Sequence, residues 1–283
     1  MTDQLFRIPV GHWGEVVLNW FIANLGGLFN LIKSFFQNWY DGLAWILTAP
    51  PFWVVILVLA LLAWLLRSWK MAIGTVIGLL LIYGMNQWEH SMETLSLVLV
   101  ASIVAVIISV PLGILTAKSK IVSAVVKPIL DFLQTMPAFV YLVPAILLLG
   151  IGVVPGIVAT IVFGMAPGTR FTELGIRSVD TEVVEAGQAF GASPGRILRQ
   201  IQIPLALPTI MAGINQVIML SLSMVVIAGM VGAGGLGKDV YASLTTLNTP
   251  LGVESGLSVV ILAIFLDRIT ASLGQSNVPA KNG

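Results

Sequence analysis

VEAGQAFGASPGRILRQIQIPLALP, residues 184–208, is a polar, glycine-punctuated interruption in a chain that is otherwise very apolar. It carries Glu185, Arg196 and Arg199, and long uncharged runs lie on both sides of it. Charged side chains and irregular backbone lose their hydrogen-bonding partners in the hydrocarbon of a bilayer. The segment is therefore expected outside the bilayer, where another molecule can contact it.

The composition excludes a soluble globular domain. The 283 residues are 57% hydrophobic and 10% charged, with a mean hydropathy of +0.98, whereas soluble domains carry about 25% charged residues. We therefore predict an all-α polytopic membrane protein. A net charge of +1 argues against nucleic acid as a partner. The chain has no cysteine, and its two histidines, His12 and His90, are far apart in sequence, so no metal site is predicted.

Apolar runs bounded by charge, Gly or Pro predict about seven transmembrane helices. The runs cover residues 51–66, 71–88, 94–117, 132–150, 153–167, 205–231 and 252–273. The uncharged stretch 132–169 would form about 57 Å of helix, nearly twice the thickness of a hydrocarbon core, so it must fold back near Gly150 and Pro155. Pro137 and Pro144 predict a kink in the fourth span. Residues 170–202 are predicted to form two or three short helices, and residues 232–251 a loop.

The N-terminal region has a different pattern. Between residues 12 and 47, apolar side chains recur every three or four positions, which predicts a helix, bent at Gly26 and Gly27. This helix either lies amphipathically in the membrane interface or packs on the flank of the protein. The predicted division is an external helix over 1–48, two accessory transmembrane helices over 49–90, a core over 91–273 that includes the polar segment 170–204, and a cytoplasmic tail over 274–283.

Positive charge predicts the orientation, because loops rich in Lys and Arg stay cytoplasmic. Basic residues gather in alternate loops, at Arg67, Lys70, Lys118, Lys120, Lys127, Arg170, Arg177, Arg196 and Arg199. This alternation places the polar segment and the C-terminus in the cytoplasm and the N-terminus outside.

The polar segment resembles the EAA loop of ABC importer permeases. In that loop Glu-Ala-Ala is followed after three residues by Gly, after nine more by Ile, and one residue later by Leu-Pro. The corresponding positions here are Glu185, Ala186, Gly187, Gly191, Ile201 and Pro204. Gly187 stands at the second Ala and Ile203 at the Leu, and both changes are conservative.

The resemblance implies the type-1 ABC importer permease fold and a role for these residues in coupling to an ATPase. It also implies the partners, which are cytoplasmic ATP-binding subunits, an external substrate-binding protein, a second copy of the permease as a homodimer, and the lipid of a bacterial plasma membrane. The chain has no G-x-x-x-x-G-K-[ST] phosphate loop. We therefore expect it to be no enzyme and to bind no cofactor, with ATP and Mg²⁺ used by the partner ATPase.

Residues 91–119 and 128–152 are similar to the glycine betaine/proline betaine subgroup of these permeases. This resemblance implies import of glycine betaine or a related osmoprotectant. A permease for another small solute, such as methionine or choline, is the alternative. An ion-coupled secondary transporter is a further one, but it would need ionisable groups at membrane depth, and no carboxylate lies between Asp131 and Glu173.

Gly232, Gly234, Gly235 and Gly237 formally match the dinucleotide fingerprint G-x-G-x-x-G. That fingerprint binds nucleotide only between a strand and a helix, whereas here it follows a predicted membrane span. The surrounding IAGMVGAGGLG is similar to the external loop of osmoprotectant and methionine permeases. These glycines either make a functional contact or only allow the backbone conformation of the loop, and the sequence leaves both interpretations open.

Overall fold

The computed structural model describes residues 9–275, which form helices and connecting turns without a β-strand. The helices are α1 (Val10–Thr48), α2 (Phe52–Leu66), α3 (Trp69–Gly84), α4 (Trp88–Lys118), α5 (Lys120–Thr135), α6 (Leu142–Leu149), α7 (Val153–Arg177), α8 (Thr181–Ala189), α9 (Pro194–Ile197), α10 (Ile203–Gly229), α11 (Gly235–Thr246) and α12 (Thr249–Gln275). A 3-10 helix, Ala138–Tyr141, precedes α6, and a π-helical turn, Leu198–Gln202, precedes α10.

The all-helical membrane fold is confirmed. Within residues 9–275, five helical segments are long and apolar enough to cross a membrane, namely α1, α4, α7, the segment Pro194–Gly229 that contains α10, and α12. The bent pair α5 and α6 gives a sixth crossing if it counts as one span, and α2 and α3 are shorter apolar helices. The predicted number of about seven is thus approximate.

The predicted fourth span, residues 132–150, is wrong in its form. The chain is broken rather than kinked, because α5 ends at Thr135 and the two helical parts meet at a bend of 107°. Pro137 explains the break, since its ring disfavours the helical conformation of the residue before it. Met136 accordingly has an extended backbone, with φ −72° and ψ 135°.

Two other boundaries differ from the sequence prediction. The stretch 232–251 is not simply a loop, because it contains α11. The segment 170–202 does not begin as a separate polar unit, because α7 continues through Glu173 to Arg177 before α8 starts.

The centre of the molecule is α7, which packs against α4 on one side and α10 on the other. Glycines allow the helices to approach closely, as is common in membrane proteins. A methyl group at position 168 would collide with Ser109 Oγ on α4, and one at position 213 would lie 2.5 Å from Phe171 Cβ on α7. These glycines let α4 and α10 pack closely against α7, the helix that leads directly towards the polar segment.

Helix α1 is continuous through Gly26 and Gly27, and the bend expected at these glycines stays a prediction. Its second half packs on the core, where Tyr40 is buried and Phe29, Ile32 and Phe36 are partly buried. The first half, including Trp13 and Trp20, is exposed. The second half therefore lies on the flank of the protein, and the interfacial role of the first half stays a prediction. Residues 1–8 and most of the predicted tail 274–283 lie outside the described residues.

Candidate functional site

Helix α8 carries the first half of the motif and is built to stand apart from the core. Asp180 caps its start by accepting a hydrogen bond from the Glu182 N–H at 2.9 Å. The helix contains no buried residue, and both Glu185 and Ala186 are exposed. An amphipathic helix with nothing covering its outer face is available to another protein.

Gly191 ends this helix in a Schellman turn. The Ala192 N–H donates to Gly187 O at 3.1 Å, and the Gly191 N–H donates to Gln188 O at 2.8 Å. Gly191 has φ +75°, a left-handed conformation that costs little only for glycine. The predicted position of Gly191 at the helix end is therefore required by backbone conformation. A methyl group there would meet no atom of this chain within 4 Å.

Two other motif positions meet in space. A methyl group at position 187 would lie 2.7 Å from Ile201 Cδ1, so the small residue at Gly187 leaves room for the Ile201 side chain. Ile201 lies in the π-helical turn, in which the Ile203 N–H donates to Leu198 O, five residues back. Pro204 follows at the start of α10 and has no N–H with which to continue an α-helical ladder. The motif thus joins α8 to the beginning of α10.

Phe190 is not among the residues that the sequence predicts for this site, yet 92% of it is exposed. An aromatic side chain in water contributes nothing to folding through burial, and aromatic residues are enriched at the centres of protein interfaces. Val183, which lies on α8, is also exposed. The available signal was an isolated aromatic residue immediately before the glycine that ends a polar helix.

The surface beside α8 is basic. Lys118, Arg196 and Arg199 line one open groove together with Ser193 and Gln200. Within the described part of the chain these three cations form no ion pair. The groove therefore offers positive charge to whatever docks against α8.

A buried carboxylate anchors the base of this region. Glu173 Oε1 lies 2.9 Å from Arg177 Nη2 and 3.1 Å from Lys127 Nζ, and it accepts a hydrogen bond from Ser123 Oγ at 3.0 Å. Arg177 also donates to Thr116 O at 2.8 Å. The network ties the ends of α4, α5 and α7 together just before α8 begins. It also explains why α7 extends past the predicted boundary, since its last charges are compensated within the protein.

The glycine-rich stretch lies elsewhere in the fold, where it starts α11. Gly232, Gly234 and Gly235 have φ +86°, +76° and +63°, conformations that favour glycine. A methyl group at position 237 would collide with Val225 O. Backbone geometry and close packing thus account for all four glycines. A helix, α10, precedes them instead of a strand, so the dinucleotide interpretation does not apply.

Side chains from α4 hold the start of α11. The Gly235 N–H donates to Glu93 Oε2 and the Leu236 N–H donates to Thr94 Oγ1, each at 2.8 Å. A carboxylate at a helix N-terminus is favourable because the free N–H groups carry partial positive charge. His90 Nδ1 also lies 2.5 Å from Asp239 Oδ2. Over residues 9–275, no three His, Cys, Asp or Glu side chains gather where they could hold a metal ion.

Comparison with known proteins gives consistent matches. Residues 109–277 match the family described as "Binding-protein-dependent transport system inner membrane component". The chain is 45% identical over 271 residues to "Glycine betaine transport system permease protein OpuAB" of Bacillus subtilis, which covers 96% of each chain. It is 45% identical over 272 residues to "Glycine betaine/carnitine transport permease protein GbuB" of Listeria monocytogenes, covering 95% of this chain and 96% of the relative.

A third relative is "Glycine betaine/proline betaine transport system permease protein ProW" of Escherichia coli, with 42% identity over 95% of this chain and 76% of the relative. Among solved structures, the inward-facing MetNI methionine ABC transporter aligns with a TM-score of 0.63 and 24% sequence identity, over 68% of this chain and 96% of the other. At this identity, the structural likeness supports the fold alone.

Proposed function

Since this chain belongs to the family of binding-protein-dependent transport system inner membrane components, we propose that it is the permease subunit of an ATP-driven importer for glycine betaine. The observation that carries the proposal is 45% identity over 96% of both chains to a glycine betaine permease. A choline permease of Bacillus subtilis is 33% identical over 66% of this chain, so the comparison favours glycine betaine over choline. The methionine transporter shares the fold only.

The energy would come from separate ATP-binding subunits, because this chain carries no phosphate loop. Helix α8 would be their docking element, with Glu185 offering a carboxylate and Phe190 an apolar anchor. The unpaired cations of Lys118, Arg196 and Arg199 would contact acidic groups on the same partner. This assignment extends the predicted coupling role from the motif residues to the groove beside them.

The geometry suggests how movement of the ATPase would reach the membrane. Gly187 lies directly against Ile201, whose turn leads into α10 without an intervening loop. A displacement of α8 would therefore be passed to α10 through packed atoms. Because α10 packs on α7, α11 and α12, its movement would alter the packing of the whole bundle and open the pathway alternately to each side.

The proposal keeps the partners, the membrane location and the division of the chain that the sequence predicts. Two copies of the permease would assemble with ATP-binding subunits in the cytoplasm and a substrate-binding protein outside, in the bacterial plasma membrane. Residues 1–48 would form an external amphipathic helix, 49–90 two accessory transmembrane helices and 91–273 the transport core, with a cytoplasmic tail over 274–283. The alternation of basic loops supports this orientation.

The test is reconstitution of the permease with its ATP-binding subunit and binding protein in liposomes. We expect uptake of radiolabelled glycine betaine only when ATP is present on the side of the membrane that carries the ATP-binding subunits. Unlabelled glycine betaine should compete for this uptake better than choline or methionine. Uptake that proceeds without ATP and follows an imposed proton or sodium gradient would refute the proposal in favour of ion-coupled transport.

A further inference from the structure

Helix α10 has one exposed stripe on an otherwise packed surface. The positions that share this stripe are exposed and recur at steps of four or seven residues; after the aliphatic Leu205 at the start of the helix, they are Pro208, Ala212, Gln216, Ser223 and Met230. Steps of four and seven keep side chains on one face of an α-helix. The partly exposed Met219 and Ile227 fall on the same face. The opposite face, which includes Gly213, Val217 and Val225, is buried against other helices.

The chemistry of this stripe differs from that of the other exposed faces in the bundle. On α12 the exposed positions at the same kind of spacing are Val253, Leu257, Val260 and Ile264. Such aliphatic side chains suit contact with lipid tails. The α10 stripe instead presents the Gln216 amide and the Ser223 hydroxyl, together with methionine thioethers.

The depth of Gln216 makes its exposure informative. It lies thirteen residues from the start of a helix of 27 residues, so it is about 20 Å along a helix of about 40 Å. A primary amide facing hydrocarbon at this depth would leave its donors and acceptor unsatisfied, which is costly. The stripe should therefore face water, a polar solute or another protein surface.

The neighbouring elements favour a solute pathway. Met224, next to Ser223, packs with Tyr141 and Leu142 at the start of α6, and Ile227 packs against the same cluster. The stripe thus runs beside the break between α5 and α6. Broken helices at membrane depth are tolerated where they line a cavity, and transporters commonly place them at the substrate site.

We propose that the α10 stripe lines the translocation pathway and that Gln216, Met219, Ser223 and Met230 contact the solute directly. This inference rests on the proposed function. The Gln216 amide can donate a hydrogen bond to the carboxylate of a small zwitterion, and the polarisable methionine side chains can contact its N-methyl groups. The stripe carries no fixed charge that would hold a zwitterion tightly. Weak contacts suit a pathway, because a solute that binds strongly inside it leaves slowly.

The competing occupant of the stripe is the α10 helix of a second copy, since steps of four and seven also describe a helix-packing seam. A seam would exclude water from Gln216 and Ser223. Access to water-soluble reagents therefore distinguishes the two arrangements.

The chain contains no native cysteine, so a single introduced cysteine is the only thiol of the permease that a reagent can modify. Gln216→Cys and the more conservative Ser223→Cys would be compared with two controls in the reconstituted complex. Val217→Cys is the buried neighbour, at 0% exposure, and Val260→Cys is 51% exposed on the aliphatic face of α12. A small water-soluble methanethiosulfonate would be applied, and modification of the permease would be followed by intact mass.

We expect both stripe variants to react roughly tenfold or more faster than both controls, because thiols ionise readily only where water reaches them. Saturating glycine betaine with the binding protein and ATP should slow the reaction. Reaction no faster than at Val260→Cys, or formation of a permease disulfide dimer on oxidation without methanethiosulfonate modification, would overturn the pathway assignment. Uptake by the Val260→Cys complex distinguishes failure of the proposed function from failure of the pathway assignment. If this complex shows no ATP-dependent uptake, the proposed function is refuted. If it does, the labelling result tests the pathway assignment alone.

Discussion

Replacing Gly191 by alanine should uncouple α8 from the ATPase while leaving the permease folded. Gly191 adopts φ +75° in the turn that ends α8. Alanine meets no steric obstacle here, because no atom lies within 4 Å of the added methyl group. The only intramolecular cost is therefore the left-handed backbone, which is about 1–2 kcal/mol for an L-residue.

The consequence for docking follows from this magnitude. A cost of about 1–2 kcal/mol lowers the ratio of the correctly ended helix to a relaxed form by a factor of about 5 to 30. The apparent dissociation constant for the ATP-binding subunit rises by up to the same factor, because only the correctly ended helix is competent to bind. Solute-stimulated ATP hydrolysis at a subsaturating concentration of the subunit should fall accordingly.

The assay is the dependence of ATP hydrolysis on the concentration of ATP-binding subunit in proteoliposomes. Gly84→Ala is the control, because Gly84 is also exposed with no atom within 4 Å but lacks a positive φ, and it lies on α3, which does not line the basic groove. Gly191→Asn is the diagnostic variant, since asparagine adopts the left-handed conformation more readily than alanine and should recover part of the affinity. Equal activity of Gly191→Ala and Gly84→Ala would refute the reasoning.

Phe190→Ala should leave the melting temperature of the permease unchanged, because the side chain is 92% exposed. It should weaken association with the ATP-binding subunit by roughly 30-fold, as expected for an interface anchor worth about 2 kcal/mol, and undiminished co-purification would show that Phe190 is not in the interface. Glu173→Gln should lower the free energy of unfolding by about 1–3 kcal/mol, because Lys127 and Arg177 lose their shared carboxylate. Thermal unfolding in detergent measures the change in stability, and an unchanged transition would show that the network is dispensable. In intact cells, a cysteine at Gly11 should react with an impermeant thiol reagent, whereas one at Ser193 should not, and the reverse pattern would invert the proposed topology.

The sequence was most informative where a local pattern has a local cause. The positions Gly187, Gly191 and Ile201 were predicted as one motif, and the structure gives each a reason within a short stretch of chain. Gly191 ends a helix, and Gly187 admits the side chain of Ile201. Whether these residues couple to an ATPase stays a prediction.

The errors arose where distant residues decide local structure. Helix α11 begins in a glycine-rich stretch that predicts a loop, and the groups that cap it, Glu93 and Thr94, lie about 140 residues earlier. The break at Met136 was predicted only as a kink in a continuous span. Apolar composition is the same on both sides of Pro137, so it cannot separate a bend of a few degrees from one of 107°. The exposed stripe of α10 was likewise invisible, since exposure depends on where the other helices pack.

The π-helical turn Leu198–Gln202 also sets a constraint on chain length. A π turn holds about one residue more than an α turn, and removing or adding a residue there would rotate everything that follows by about 100°. Helix α8 on one side and the Gln216 face on the other are therefore phased by the number of residues between them. Substitutions in this connection can be absorbed by repacking, whereas a single-residue deletion would leave both surfaces intact but aim them in unrelated directions.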